Sequence, residues 1–137
     1  MKLLTQSIHE QLLRNGQLRL AADEQGDSDP DFLPVVKLFT PDAACTWLLS
    51  ELDPEEPDIA FGLCDLGMGC PELGSVRISE LESVRGKLGL PIERDRHFQP
   101  KHTINVYARA AWNNAAITED PVKLAAADAT ETERRAS

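Results

Sequence analysis

The sequence lacks any apolar run near the roughly 20 residues that a membrane-crossing helix requires. Its start, from Met1 to Ser7, turns polar too soon to supply the apolar centre of a secretory signal. Cysteine is scarce: Cys45, Cys64 and Cys70 are an odd and scattered set, where a small secreted chain would carry a dense, even one. These absences lead us to expect a cytoplasmic protein with free thiols. Aromatic residues make up only 5% of the chain, few for a protein that stacks bases. Bases are nearly missing from residues 22–58, where Lys37 stands alone against eleven acids.

What is present describes an ordinary globular chain. Its 137 residues allow one sizeable core, and 42% hydrophobic with 27% charged residues excludes wholesale disorder. The net charge is −9, and residues 22–58 alone carry −10. A field of that sign repels bare nucleic acid over about 8–10 Å. No internal repeat is present.

Leu4, Ile8 and Leu12, widened by Leu3 and Leu13, predict a first helix capped by Thr5 and stopped at Gly16. Residues 21–31 read as an exposed loop. Val35–Phe39 predicts a strand, Thr40–Ala44 a turn, and Cys45–Glu51 its hairpin partner, with Cys45, Trp47 and Leu49 on the better apolar face. Ile59–Cys64 reads as a central strand and Ser75–Ile78 as a fourth. Ser79 and Glu82 have the spacing of a capping box, opening a helix that ends at Gly86. Ile92–Asp95 is a charged strand suited to a sheet edge. Short connections favour an antiparallel meander. The expected fold is therefore α+β, about five strands with one or two packed helices over residues 1–102. Residues 103–137 read as an extension, helical around Ile104, Ala108, Ala111 and Ala115, then disordered from Thr118.

An ordered series of motifs runs along this chain: Thr40-Pro41-Asp42 with Thr46-Trp47, then Phe61-Gly62-Leu63, Glu72-Leu73-Gly74, Ser79-Glu80-Leu81-Glu82 and Leu90-Pro91-Ile92-Glu93-Arg94-Asp95. In these the chain resembles the domain-of-unknown-function 2958 family over roughly residues 1–100. That family comprises small bacterial proteins often carried on plasmids and mobile elements. The resemblance implies such a setting, with roles in plasmid maintenance or counter-defence, and it supplies no catalytic residues.

Several clusters suggest chemistry. Cys64, Cys70, His97 and His102 offer thiolates and imidazoles for zinc, but Cys-x5-Cys is wider than a zinc signature. The plain alternative is two ordinary thiols and two surface histidines. Asp27, Asp29 and Asp31 begin like a calcium loop, which then fails at Phe32 and Leu38, where glycine and glutamate are required. Gly67 to Pro71 is a turn, without the lysine and hydroxyl of a phosphate loop. Glu93, Asp95 and His97 form the densest ionisable run and are the candidates for acid–base catalysis, with Glu51 or Asp65 as a further candidate carboxylate. Their alternative role is ion pairing along a sheet edge. Trp112 is a candidate exposed anchor.

The function expected from this reading is a non-enzymatic accessory factor with no cofactor. Asp53, Glu55, Glu56 and Asp58 would bind a basic, DNA-handling protein by complementing its Arg/Lys groove. One alternative is a hydrolase or nuclease-like enzyme using Glu93, Asp95 and His97. Another is nucleic-acid binding through Arg77, Arg85, Lys87, Arg94, Arg96 and Lys101.

Overall fold

The computed structural model describes residues 2–136. Helix α1 spans Gln6–Gln25, and the hydroxyl of Thr5 accepts the backbone N–H of Ile8 at its start, as expected. The helix does not stop at Gly16. It ends at Gly26, which takes the left-handed conformation with φ 73° and sends its N–H back to Ala22 and Asp23. Residues 21–25, expected as loop, are its last turn and more. Helix propensity tolerates one glycine, and what demands Gly16 is the sheet beneath it: a Cβ there would lie 1.8 Å from the carbonyl oxygen of Leu52.

Strands β1 (Val36–Phe39), β2 (Thr46–Leu52), β3 (Ile59–Asp65) and β4 (Glu72–Arg77) form an antiparallel meander. Strand β5 is shorter than expected, Glu93–Arg94 alone, and returns to pair with β1, giving the order β4-β3-β2-β1-β5. It is an edge, and β3 is interior. Between β4 and β5 lies α2, Ile78–Ser83. The capping box does not form there. The Ser79 hydroxyl donates to Asp58 instead, at 2.6 Å, and Glu82 accepts the N–H of Leu3 at 3.1 Å.

The sheet is covered on both faces, so β2 is buried at nearly every position. Leu12, Val36, Leu38, Trp47, Leu49 and Leu52 join Ile78 and Leu81 in one core, under α1 and α2. Leu48 and Leu63 point into a second core, closed by α3 (Ile104–Asn114) and α4 (Pro121–Ala136). Four helices stand among the described residues, where one or two were expected. Within the stretch expected to be disordered, Pro121–Ala136 form a helix. Pro121 opens α4, and Leu124, Ala127 and Glu131 recur at helical spacing on its buried face. Alanine obscures that pattern in the sequence, because it reads as a helix former on any face. No helix among the described residues is long and apolar enough to cross a membrane.

Candidate functional site

Alternation along β2 would carry Glu51 onto the same face as Trp47 and Leu49. A bulge prevents this. The register jumps between Leu49 and Glu51, leaving Ser50 as an extra residue, so Leu52 enters the core in place of Glu51. The bulge is anchored by Asn15 on α1, whose side-chain amide donates to the Ser50 carbonyl at 2.9 Å. Glu51 is re-aimed toward Arg19, one turn further along α1.

Arg19 is almost fully engaged. Its Nε lies 2.7 and 2.8 Å from the two Glu51 carboxylate oxygens, one Nη lies 3.3 Å from Asp29, and the other donates to the Pro30 carbonyl at 3.1 Å. The guanidinium sits 5.9 Å from the ring of Phe32 and 5.7 Å from that of Phe61, within cation–π range of both. Gly16, Arg19, Asp23, Asp29, Glu51, Asp53 and Phe61 are among the residues that line an open cleft of about 370 Å³. Four carboxylates therefore face one cation.

The electrostatics register this excess. A hydrogen bond with Asp29 is the chief influence raising Asp23 above the ordinary aspartate range; slight burial and the Asp29 charge add to it, and Arg19 opposes them. Glu51 is only 5% exposed. Burial pushes its carboxyl up, the Arg19 hydrogen bond and charge pull it down without prevailing, and the charges of Asp29 and Asp23 push upward again. Such a cleft favours an incoming cation, because two carboxyls in contact are relieved by a third party of opposite charge.

The four residues expected to bind a partner part company here. Asp53 lines the cleft, and its Oδ1 accepts the N–H of Glu55 at 2.9 Å. Glu55 is exposed. Glu56 pairs with Arg77 at 2.9 Å. Asp58 accepts from the Ser79 side chain and backbone, and those two bonds lead the lowering of its pKa, with Arg77 assisting. Asp58 thus fastens the start of α2. Asp23, Asp29 and Glu51 belong to the cleft instead, and the sequence signal for them is the run of acids itself, whose convergence depends on α1 extending past Gly16.

Glu93, Asp95 and His97 do line one groove, of about 380 Å³, with Phe39, Arg94 and Arg96. Five of its residues are consecutive, running from β5 into the segment after it, and Phe39 of the neighbouring β1 completes the lining. Asp95 accepts the N–H of His97 at 2.9 Å and pairs with Lys37 at 3.6 Å. Asp65 is committed to the backbone N–H groups of Gly67 and Ile117.

The zinc candidates are not brought together as a set. Cys64 lies on β3 and His97 beyond β5, with β2 and β1 between those strands. Burial raises the Cys64 thiol to about 11. Cys70 is exposed, and His102 lies 3.4 Å from Asp128. Among the described residues, no three His, Cys, Asp or Glu side chains are gathered so as to hold a metal ion. The basic residues are likewise dispersed: Arg77 pairs with Glu56, Arg85 donates to nearby carbonyls, and Arg94 donates to the Leu3 carbonyl.

A family model described as a protein of unknown function (DUF2958) matches residues 3–118. No curated protein and no solved structure matches the chain.

Proposed function

This chain belongs to the DUF2958 family, and on that premise we propose that it is a non-enzymatic docking protein whose acidic cleft receives basic side chains of a protein partner. The observation that carries the reading is the imbalance in the cleft. Asp23, Asp29, Glu51 and Asp53 line it, and its one cation, Arg19, is already bound to Glu51 and Asp29. Elsewhere in residues 22–58, Arg77 and Arg135 from outside the segment engage Glu56, Asp58 and Asp31. Lys37 turns away from the segment to Asp95 and Glu119. Open acids thus remain at the cleft and at Glu55 beside it, and Glu24 and Asp27 near the end of α1 are exposed as well.

The partner class that fits is a basic, DNA-handling protein of the host or of a mobile element, whose phosphate-binding groove the carboxylates would occupy. Charge of this kind speeds encounter and selects the partner more than it adds affinity. The test is titration of the full chain with a labelled hepta-arginine peptide at low and at near-physiological salt. Exchanging Asp23, Asp29 and Asp53 together for asparagine is expected to weaken binding by about tenfold and flatten its salt dependence. Equal affinity of parent and variant would end the proposal.

The groove along β5 supports a second reading, a hydrolase-like activity at Glu93 and His97, because both side chains are exposed within it.

A further inference from the structure

The family match stops at residue 118, three residues before α4 begins. Helix α4 packs on α3, and only Leu124 and Ala127 supply buried apolar side chains. Much of its attachment is polar. Glu131 lies 3.1 Å from Arg109 of α3, Asp128 lies 3.4 Å from His102, and Arg135 in the last turn pairs with Asp31. Asp31 belongs to the same loop that carries Asp29 into the cleft, and its other oxygen accepts the N–H of Asn105 near the start of α3.

The last turn of α4 thus presents a basic residue of this chain to its own acidic segment. We propose that α4 is an autoinhibitory element: Arg135, seated on Asp31, stands in for a basic residue of the partner, and a partner must displace it to engage the loop fully. This inference rests on the docking reading above. The two are of one chemistry, a guanidinium on a carboxylate, and Asp31 lies two residues along the same loop from Asp29 of the cleft. The Arg135 side chain is about half exposed, and contacts of that kind are weak enough to exchange. Release of the Arg135 contact alone would leave both cores intact, since neither includes Arg135 and Leu124 and Ala127 of α4 stay packed in the second.

The experiment titrates three full-length proteins with the hepta-arginine peptide at low salt: the parent, Arg135→Ala and Lys123→Ala. Lys123 is exposed on the same helix, so its loss changes net charge equally without touching the acidic loop. Arg135→Ala is expected to bind about threefold to fivefold tighter than the parent, the range of an exposed ion pair, and Lys123→Ala to stay close to the parent. Equal gains in both variants would show a net-charge effect and overturn the autoinhibitory contact while leaving the docking reading standing. Absence of binding in all three proteins would overturn both.

Discussion

Gly16, midway along α1, lies so close to the carbonyl oxygen of Leu52 that helix and sheet touch backbone to backbone. A side chain at that position has nowhere to go, because the obstructing atom is main chain and cannot swing aside. Gly16→Ala is therefore expected to destabilise the protein by about 1–3 kcal/mol, even though alanine is the better helix former by about 1 kcal/mol. Urea unfolding with an unchanged slope would measure it. A variant as stable as the parent would mean that α1 does not approach β2 this closely.

Arg19 and Glu51 make the second relationship that stability should reveal. Arg19→Met would leave the Glu51 side chain, only 7% exposed, without its partner. Removing one member of a buried pair costs about 3–5 kcal/mol, more than most truncations, because a charge is stranded. The sign of the pH dependence follows. The Glu51 carboxyl already lies above its ordinary value in the folded protein, and loss of Arg19 raises it further. The folded variant then takes up a proton more readily than the unfolded chain, so its deficit should shrink as pH falls into mild acid. Adding Glu51→Gln should recover part of the loss at neutral pH. A pH-independent deficit, with no recovery by glutamine, would contradict the burial of this pair.

The sheet was legible in the sequence because β-branched and aromatic runs alternate with turn residues: Val36–Phe39, the Pro41 turn and the Thr46–Leu52 return pair as expected. The edge position of Glu93–Arg94 was legible for the same reason, since charge on both faces suits only an edge. Other features were hidden by tertiary demands. Gly16 carries the local signature of a helix stop, and only its contact with Leu52 explains it within one. Ser50 gives no sign of a bulge, yet the bulge decides that Leu52 and not Glu51 enters the core. The cleft followed these two features out of view, because Arg19 and Asp23 stand on the half of α1 beyond Gly16. Ser79 and Glu82 match a capping box, and Asp58 from a distant loop takes the serine instead.

The attachment of α4 should respond to acid, and its sign differs from that of Glu51. Glu131 is 3% exposed, and burial is the largest single influence on it, pushing its carboxyl upward. Hydrogen bonds and charge from Arg134 and Arg109 together outweigh burial and hold it below the ordinary glutamate value of 4.5. A depressed carboxyl contributes stability that is present above its unfolded value and is lost as pH falls through the folded one. Neutral and mildly acidic solutions should therefore leave α4 in place. Below about pH 4.5 the unfolded chain takes up the proton first, and the helix should loosen from α3 before the sheet yields. Glu131→Gln leaves Arg109 and Arg134 facing an uncharged amide, so it should cost about 1.5–3 kcal/mol at neutral pH, the worth of hydrogen bonds to a charged group. It should also remove most of the acid dependence of α4. Hydrogen exchange of residues 121–136, followed against that of β2 over the acid range, reads both effects. If parent and variant lose protection along the same pH curve, Glu131 is not what fastens α4.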